Sequence, residues 1–156
     1  MIYNEIIEQV RIKKPLIHLL TNQVVMNFSA NGVLSFGAAP VMAKAAEEAA
    51  DMANTADAIV INIGTISPSD VDAMILAGQQ ANQKGIPVIF DPVGVAATKF
   101  RSDAAQKILD AVNPSVIKGN AGEMASLVNI EWETKGVESV GTGNTEAVAI
   151  KVAETY

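Results

Sequence analysis

AIVINIGTISPSDVDAMILAGQQANQKGIPVIFD (58–91) decides the fold. AIVINI at 58–63 is a continuous apolar run of strand length, and Gly64–Thr65 turns the chain out of it. Ser67 followed by Pro68 is an N-cap with proline at the first helical position, and Asp70 suits the positive helix start. Val71, Met74, Ile75 and Gly78 recur at helical spacing, Gly85 stops the helix, and PVIFD at 87–91 begins the next strand. One strand-turn-helix-strand unit of this kind is a β-α-β crossover, which requires parallel strands.

The unit repeats on the C-terminal side. DPVG at 91–94 and a polar loop lead to a helix with its face on Ala105, Ile108, Leu109 and Val112. Pro114 interrupts it, SVIKG at 115–119 is a further strand, and Asn120 opens a helix to about Val128. On the N-terminal side, Ile2, Ile6 and Val10 mark a first helix, and LIHLL at 16–20 opens onto Thr21–Asn22. Asn22 is expected to cap a helix from Gln23 to about Phe36, ended by Gly37. AAPVMA at 38–43 reads as a short strand and 44–57 as a helix; 129–143 reads as a loop before a last helix, Glu146 to Tyr156. The reading is α/β: a parallel sheet covered by helices.

Composition agrees. Hydrophobic residues make up 49% of the 156 and aromatics only 4%, a balance that suits parallel strands buried under small-residue helices. A net charge of −6 repels polyanions, so no nucleic-acid partner is expected. Without cysteine there is no disulfide, thiolate metal site or cysteine nucleophile, and a single histidine, His18, excludes a multi-histidine cage. No apolar run reaches membrane-spanning length and residues 1–14 have no signal-peptide core, so the expected place is the cytoplasm, without membrane contact.

Every strand ends in polar or glycine residues, and ligands of open parallel sheets bind at that edge. Asp91 closes an apolar strand, where a carboxylate needs a partner: a magnesium ion, or backbone N–H groups of the turn. Glu123 lies three residues after Asn120, the spacing of a capping box; it equally suits a second carboxylate of a Mg²⁺–phosphate site. Lys118 is a strand-end phosphate contact or a salt-bridged surface lysine. His18 reads as a core or edge histidine satisfied by hydrogen bonds, and Met42 as core or pocket lining. No G-x-x-x-x-G-K-[ST] and no G-x-G-x-x-G occurs, although Gly141–Thr142–Gly143 is a fragment of the latter.

Four stretches, PLIHLLTNQVVMNFSANGVLSFGAAPVMA (15–43), ADAIVINIGT (56–65), GIPVIFDPVGVAATKFR (85–101) and SVIKGNAGE (115–123), together resemble the hydroxyethylthiazole kinase family of the ribokinase-like superfamily. The resemblance runs in order from about residue 10 to 128. It implies a ribokinase-like fold of which 1–156 is the N-terminal part of a single domain, incomplete at the C-terminal end. It implies ATP- and Mg²⁺-dependent phosphorylation of the hydroxyl of 4-methyl-5-(2-hydroxyethyl)thiazole in thiamine biosynthesis or salvage, by a homotrimer with active sites between subunits. On matching positions it assigns Asp91 and Glu123 to the metal, and Asn22, Val24, Met42, Gly64 and Thr65 to the thiazole. Lys118, where the family commonly carries arginine, and Asn120 fall to ATP. The family's Gly-Ala-Gly-Cys segment, beside the reacting hydroxyl, is absent, so no catalytic residue is assigned and the chain alone is expected to be inactive. The alternatives are another ribokinase-like kinase with a pyrimidine acceptor, and a non-catalytic binding or assembly module.

Overall fold

The computed structural model describes residues 2–132, 134–135, 138–139 and 143–156, without the side chains of 2, 134, 135, 138 and 139. Five parallel strands, β1 (Leu16–Leu20), β2 (Ala39–Val41), β3 (Ala58–Asn62), β4 (Val88–Asp91) and β5 (Val116–Ile117), form one sheet in the order β2-β1-β3-β4-β5. The helices are α1 (Ile2–Lys13), α2 (Met26–Phe36), α3 (Ala46–Thr55), α4 (Pro68–Lys84), α5 (Lys99–Ala111), α6 (Ala121–Leu127) and α7 (Thr145–Thr155). The expected alternation is therefore present unit by unit.

Two local expectations need correction. The helix expected from Gln23 begins at Met26; residues 23–25 form a turn, and Asn22 caps that turn rather than the helix, its Oδ1 accepting from Val24 N and Val25 N at 3.1 Å each. The segment expected as loop contains a two-stranded antiparallel pair, β6 (Thr134–Lys135) with β7 (Glu138–Ser139). Of the Gly-Thr-Gly fragment, 141 and 142 lie outside the described residues.

The order of strands across the sheet reverses once. From β1 the chain steps outward to β2, whereas every later crossover steps the other way, through β3 and β4 to β5. With right-handed crossovers, α2 then lies on the face opposite α3, α4 and α5. The two faces are unequally covered. His18, Leu20, Ile59, Ile61, Val88 and Phe90 alternate onto one face and are fully buried, most of them in one cluster with Ala49, Ala53, Met74, Ala77 and Ile108. Each buried branched side chain contributes about 1.5–3 kcal/mol. Of the alternate positions, Leu19 is buried and Ile17, Val60 and Ile89 are half-buried.

Local signals set the element ends. Ser67 and Asp70 form a full capping box on α4, worth about 1 kcal/mol, and Gly37 and Gly85 end their helices in left-handed conformations, φ 97° and 68°. Lys44 pairs with Asp70 at 3.0 Å and fastens the segment after β2 to the start of α4. Burial opposes ionisation of Asp70, but hydrogen bonds from Lys44 and Ser67 outweigh it and hold the carboxyl below its ordinary pKa.

His18 is the core histidine expected. Its Nε2 donates to Ala43 O at 2.7 Å, which makes Nδ1 the unprotonated nitrogen, buried and without a hydrogen-bond partner. Desolvation lowers its pKa, more than the Ala43 bond and the Glu48 charge raise it. The unfolded chain then takes up a proton, near pH 6.5, that the folded chain refuses, so this contribution to stability is complete above that pH and lost as pH falls further. The urea midpoint should fall between about pH 7.5 and about pH 5, and His18→Gln, which keeps a donor for Ala43, should flatten the fall. A second expectation concerns the turn after β3. A Cβ on Gly64 would sit 2.8 Å from Asn22 Cβ and 2.9 Å from Asn62 Oδ1, so the β1 and β3 exits touch only because residue 64 is glycine. Gly64→Ala should cost about 1–3 kcal/mol, read as a lower urea midpoint at pH 7.5.

Candidate active site at the strand ends

The point where strand order reverses lies between β1 and β3, and open parallel sheets bind ligands in the crevice outside the carboxyl ends at such a point. Asn22 follows β1, Asn62 and Gly64–Thr65 close β3, Asp91 closes β4, and Lys118 follows β5. The parallel register sets Asn62 beside Asp91 and Phe90 beside Ile117, so Asn62 and Asp91 project from the same, half-covered face.

Hydrogen bonds run across all four exits. Asn22 Nδ2 donates to Asn62 Oδ1 at 2.9 Å, Asn62 Nδ2 donates to Asp91 Oδ2 at 2.8 Å, and Lys118 Nζ donates to the same oxygen at 3.2 Å. Gln23 N donates to Thr65 Oγ1 at 2.9 Å, tying the β1 and β3 loops a second time. Asp91 Oδ1 is buried and has no hydrogen-bond partner among the described residues. A buried carboxylate oxygen without a donor is costly, and a cation is one way to satisfy it.

Glu123 occupies the other side of this edge and is itself buried. The capping box expected of it is present in full: Glu123 N donates to Asn120 Oδ1 and Asn120 N donates to Glu123 Oε2, both at 2.9 Å. Its other oxygen accepts from Gly94 N at 2.9 Å, so this one carboxylate fastens the loop after β4 to the start of α6. A carboxylate has about four lone-pair sites, and two of these are taken. No group of three or more acidic, histidine or cysteine side chains suited to a metal occurs among the described residues. The donors present are hard oxygens from two carboxylates, which fits a Mg²⁺ that keeps waters and phosphate oxygens for its other positions.

The remaining expected residues are less enclosed. Val24 is 82% exposed, in the turn before α2; Met42 is half-buried just past β2; and Lys118 holds Asp91 while most of its side chain stays in solvent. A groove of about 600 Å³ beside β5 is lined by Ile117, Lys118, Gly119, Met124 and residues of α7. The chain's own fold thus brings Asn22, Gly64, Thr65, Asp91 and Lys118 together and seats Glu123 and Asn120 beside the Gly94 turn.

Two side chains at this edge escaped the sequence reading. Asn62 was hidden inside an apolar run, where its polarity at a buried strand end was the available signal. Arg101, on α5, donates from Nη1 to Ile63 O at 2.6 Å and to Val93 O at 2.9 Å, and from Nη2 to Gly64 O at 2.6 Å. It clamps the β3 exit to the β4 exit through three carbonyls, contacts between distant segments that no local pattern announces.

The chain resembles known proteins in sequence and in fold. The hydroxyethylthiazole kinase family profile matches residues 7–156. A curated relative, hydroxyethylthiazole kinase 1 of Oceanobacillus iheyensis, is 60% identical over 152 residues, which are 97% of this chain and 59% of the relative. A solved structure, the hydroxyethylthiazole kinase protein of Pyrococcus horikoshii OT3, superposes with a TM-score of 0.77 at 46% identity, over 83% of this chain and 51% of that one. The chain thus spans between half and three-fifths of the length of these two proteins. With nearly its whole length matched in sequence and most of it in structure, the chain belongs to the hydroxyethylthiazole kinase family.

Proposed function

We propose that this chain is the N-terminal part of a single ribokinase-like domain. That domain transfers the γ-phosphoryl group of ATP to the hydroxyl of 4-methyl-5-(2-hydroxyethyl)thiazole with Mg²⁺, serving thiamine biosynthesis or salvage in the cytoplasm. The observation that carries the reading is the strand-end line from Asn22 to Lys118 with the orphaned Asp91 oxygen in it. Family membership supplies the reaction class, and the half-covered sheet face supports a larger domain. No helix among the described residues is long and apolar enough to cross a membrane, which is compatible with the cytoplasm.

In this reading Asp91 and Glu123 hold the metal side. Mg²⁺, when bound, neutralises charge on the polyphosphate, the main requirement of a phosphoryl transfer. Lys118 reaches the phosphates as a point charge from its exposed position beside Asp91. Asn120 stands near the phosphates, where its cap leaves the start of α6 ordered. Asn22, Val24, Met42, Gly64 and Thr65 form the thiazole side, with Gly64 and Thr65 set by their contacts to Asn22 and Gln23. The hydroxyl is activated by family sequence that this chain lacks, so residues 1–156 alone do not turn over.

A homotrimer with shared sites fits the same surface. α2 is apolar yet buries no residue; Phe28 is 81% exposed, and Leu34 and Phe36 are more than half exposed. Val24 at its start would then complete a pocket only against a neighbouring subunit. Sedimentation equilibrium of the full-length protein should give three subunits, and Phe28→Glu should yield monomers; an unchanged trimer would remove α2 from the interface.

The reading of the reaction is tested by offering the full-length protein thiazole and pyrimidine alcohols with Mg²⁺–ATP. The thiazole alcohol should be the better acceptor, residues 1–156 alone should transfer nothing, and Asp91→Asn should lower kcat about 100-fold or more with its thermal melt retained. A pyrimidine preference would favour the other kinase reading, and normal Mg²⁺-dependent rates in Asp91→Asn would remove the metal role.

A further inference from the structure

We propose that Asn62 is the positioning residue for Asp91: it orients the carboxylate and couples it to the β1 exit. The inference rests on the reading of Asp91 as a metal ligand and adds a residue to it. Asn62 is buried at the end of β3. Its amide direction is fixed by donors that cannot reverse. Gly64 N donates to Asn62 Oδ1 at 2.9 Å, and a backbone N–H can only donate, so that end of the amide is the oxygen and the other end is Nδ2. Asn22 is fixed in the same way, because its Oδ1 accepts from Val24 N and Val25 N and its Nδ2 must therefore face Asn62. The chain of donors runs one way, from Asn22 through Asn62 into Asp91 Oδ2.

That direction has a chemical consequence. Asp91 Oδ2 receives two donors, Asn62 and Lys118, whereas Oδ1 receives none. Lys118 has a long, flexible stem and its side chain is 70% exposed, so it cannot hold the carboxylate plane by itself. The buried amide, held on its other side by Asn22 and Gly64 N, can. Asn62 thus decides which carboxylate oxygen is left over for a cation, and it links that choice to the loop bearing Asn22. Hydrogen-bonded supports of metal-ligating carboxylates change metal affinity by about 10–100-fold when lost.

The test uses the chain with Mn²⁺ alone, followed by electron paramagnetic resonance, and with Mg²⁺, followed by ¹⁵N NMR of the side-chain amides. Asn62→Ala and Asn62→Thr, the latter keeping an oxygen near Gly64 N, should each weaken Mn²⁺ about tenfold while circular dichroism stays native. In the unsubstituted chain the Asn62 Nδ2 protons should shift as Mg²⁺ binds and should not shift in Asp91→Asn. If either folded variant binds Mn²⁺ as tightly as the parent, or if Mg²⁺ binds without moving the Asn62 amide, the positioning role is wrong. Should both variants unfold, the amide shift in the unsubstituted chain decides alone. If Asp91→Asn itself leaves Mn²⁺ affinity unchanged, the metal reading of Asp91 fails first, a result distinct from either outcome at Asn62.

Discussion

The candidate site depends on a single chain of hydrogen bonds laid across the carboxyl ends of four parallel strands. Asparagine amides and a carboxylate there do what a backbone ladder does deeper in the sheet: each polar group is answered by its neighbour on the next strand. The answering is possible because parallel register sets Asn62 beside Asp91, and because Gly64 lets the β1 exit approach the β3 exit closely. Remove the register and the buried Asn22 and Asn62 and the half-buried Asp91 lose partners together, at a cost of about 1–3 kcal/mol for each group left unpaired.

Around that line, loops are fastened by groups that reach between distant segments. Arg101 gathers carbonyls from the exits of β3 and β4, Glu123 joins the Gly94 turn to the start of α6, and Lys44 joins the end of β2 to α4. Connections of this kind restrict the exits without filling them, which suits a site that must hold its geometry and still admit ligands. Glu123 combines a capping box with a longer reach: the cap orders α6, and the other carboxylate oxygen accepts from Gly94 N.

The apolar, unburied α2 and the half-covered sheet face describe a surface that is finished elsewhere. A parallel sheet is ordinarily covered on both sides, and Ile17, Val60 and Ile89 have cover on one side of that account only partly supplied. The proposed trimer would cover α2, whose apolar side chains this chain leaves exposed.

Much was legible in the residues alone. Apolar runs of strand length, the Ser67–Pro68–Asp70 start, the glycine stops and the polar strand ends determine a parallel α/β sheet and name its functional edge, because each is a local property of a few consecutive residues. The start of α2 was misjudged since Asn22 has two possible uses, and only the presence of Asn62 across the strand gap committed its Nδ2 there and left Oδ1 to the turn at 23–25. Asn62 and Arg101 were invisible for a related reason: the side chains Asn62 meets on neighbouring strand exits lie 29 and 40 positions away and the carbonyls Arg101 holds 8 to 38, so these contacts exist only in the folded chain. Which strands are neighbours, which face carries Asp91, and which of its oxygens is spoken for are decisions of the tertiary structure, since hydrogen-bond partnership follows distance in space and not order along the chain.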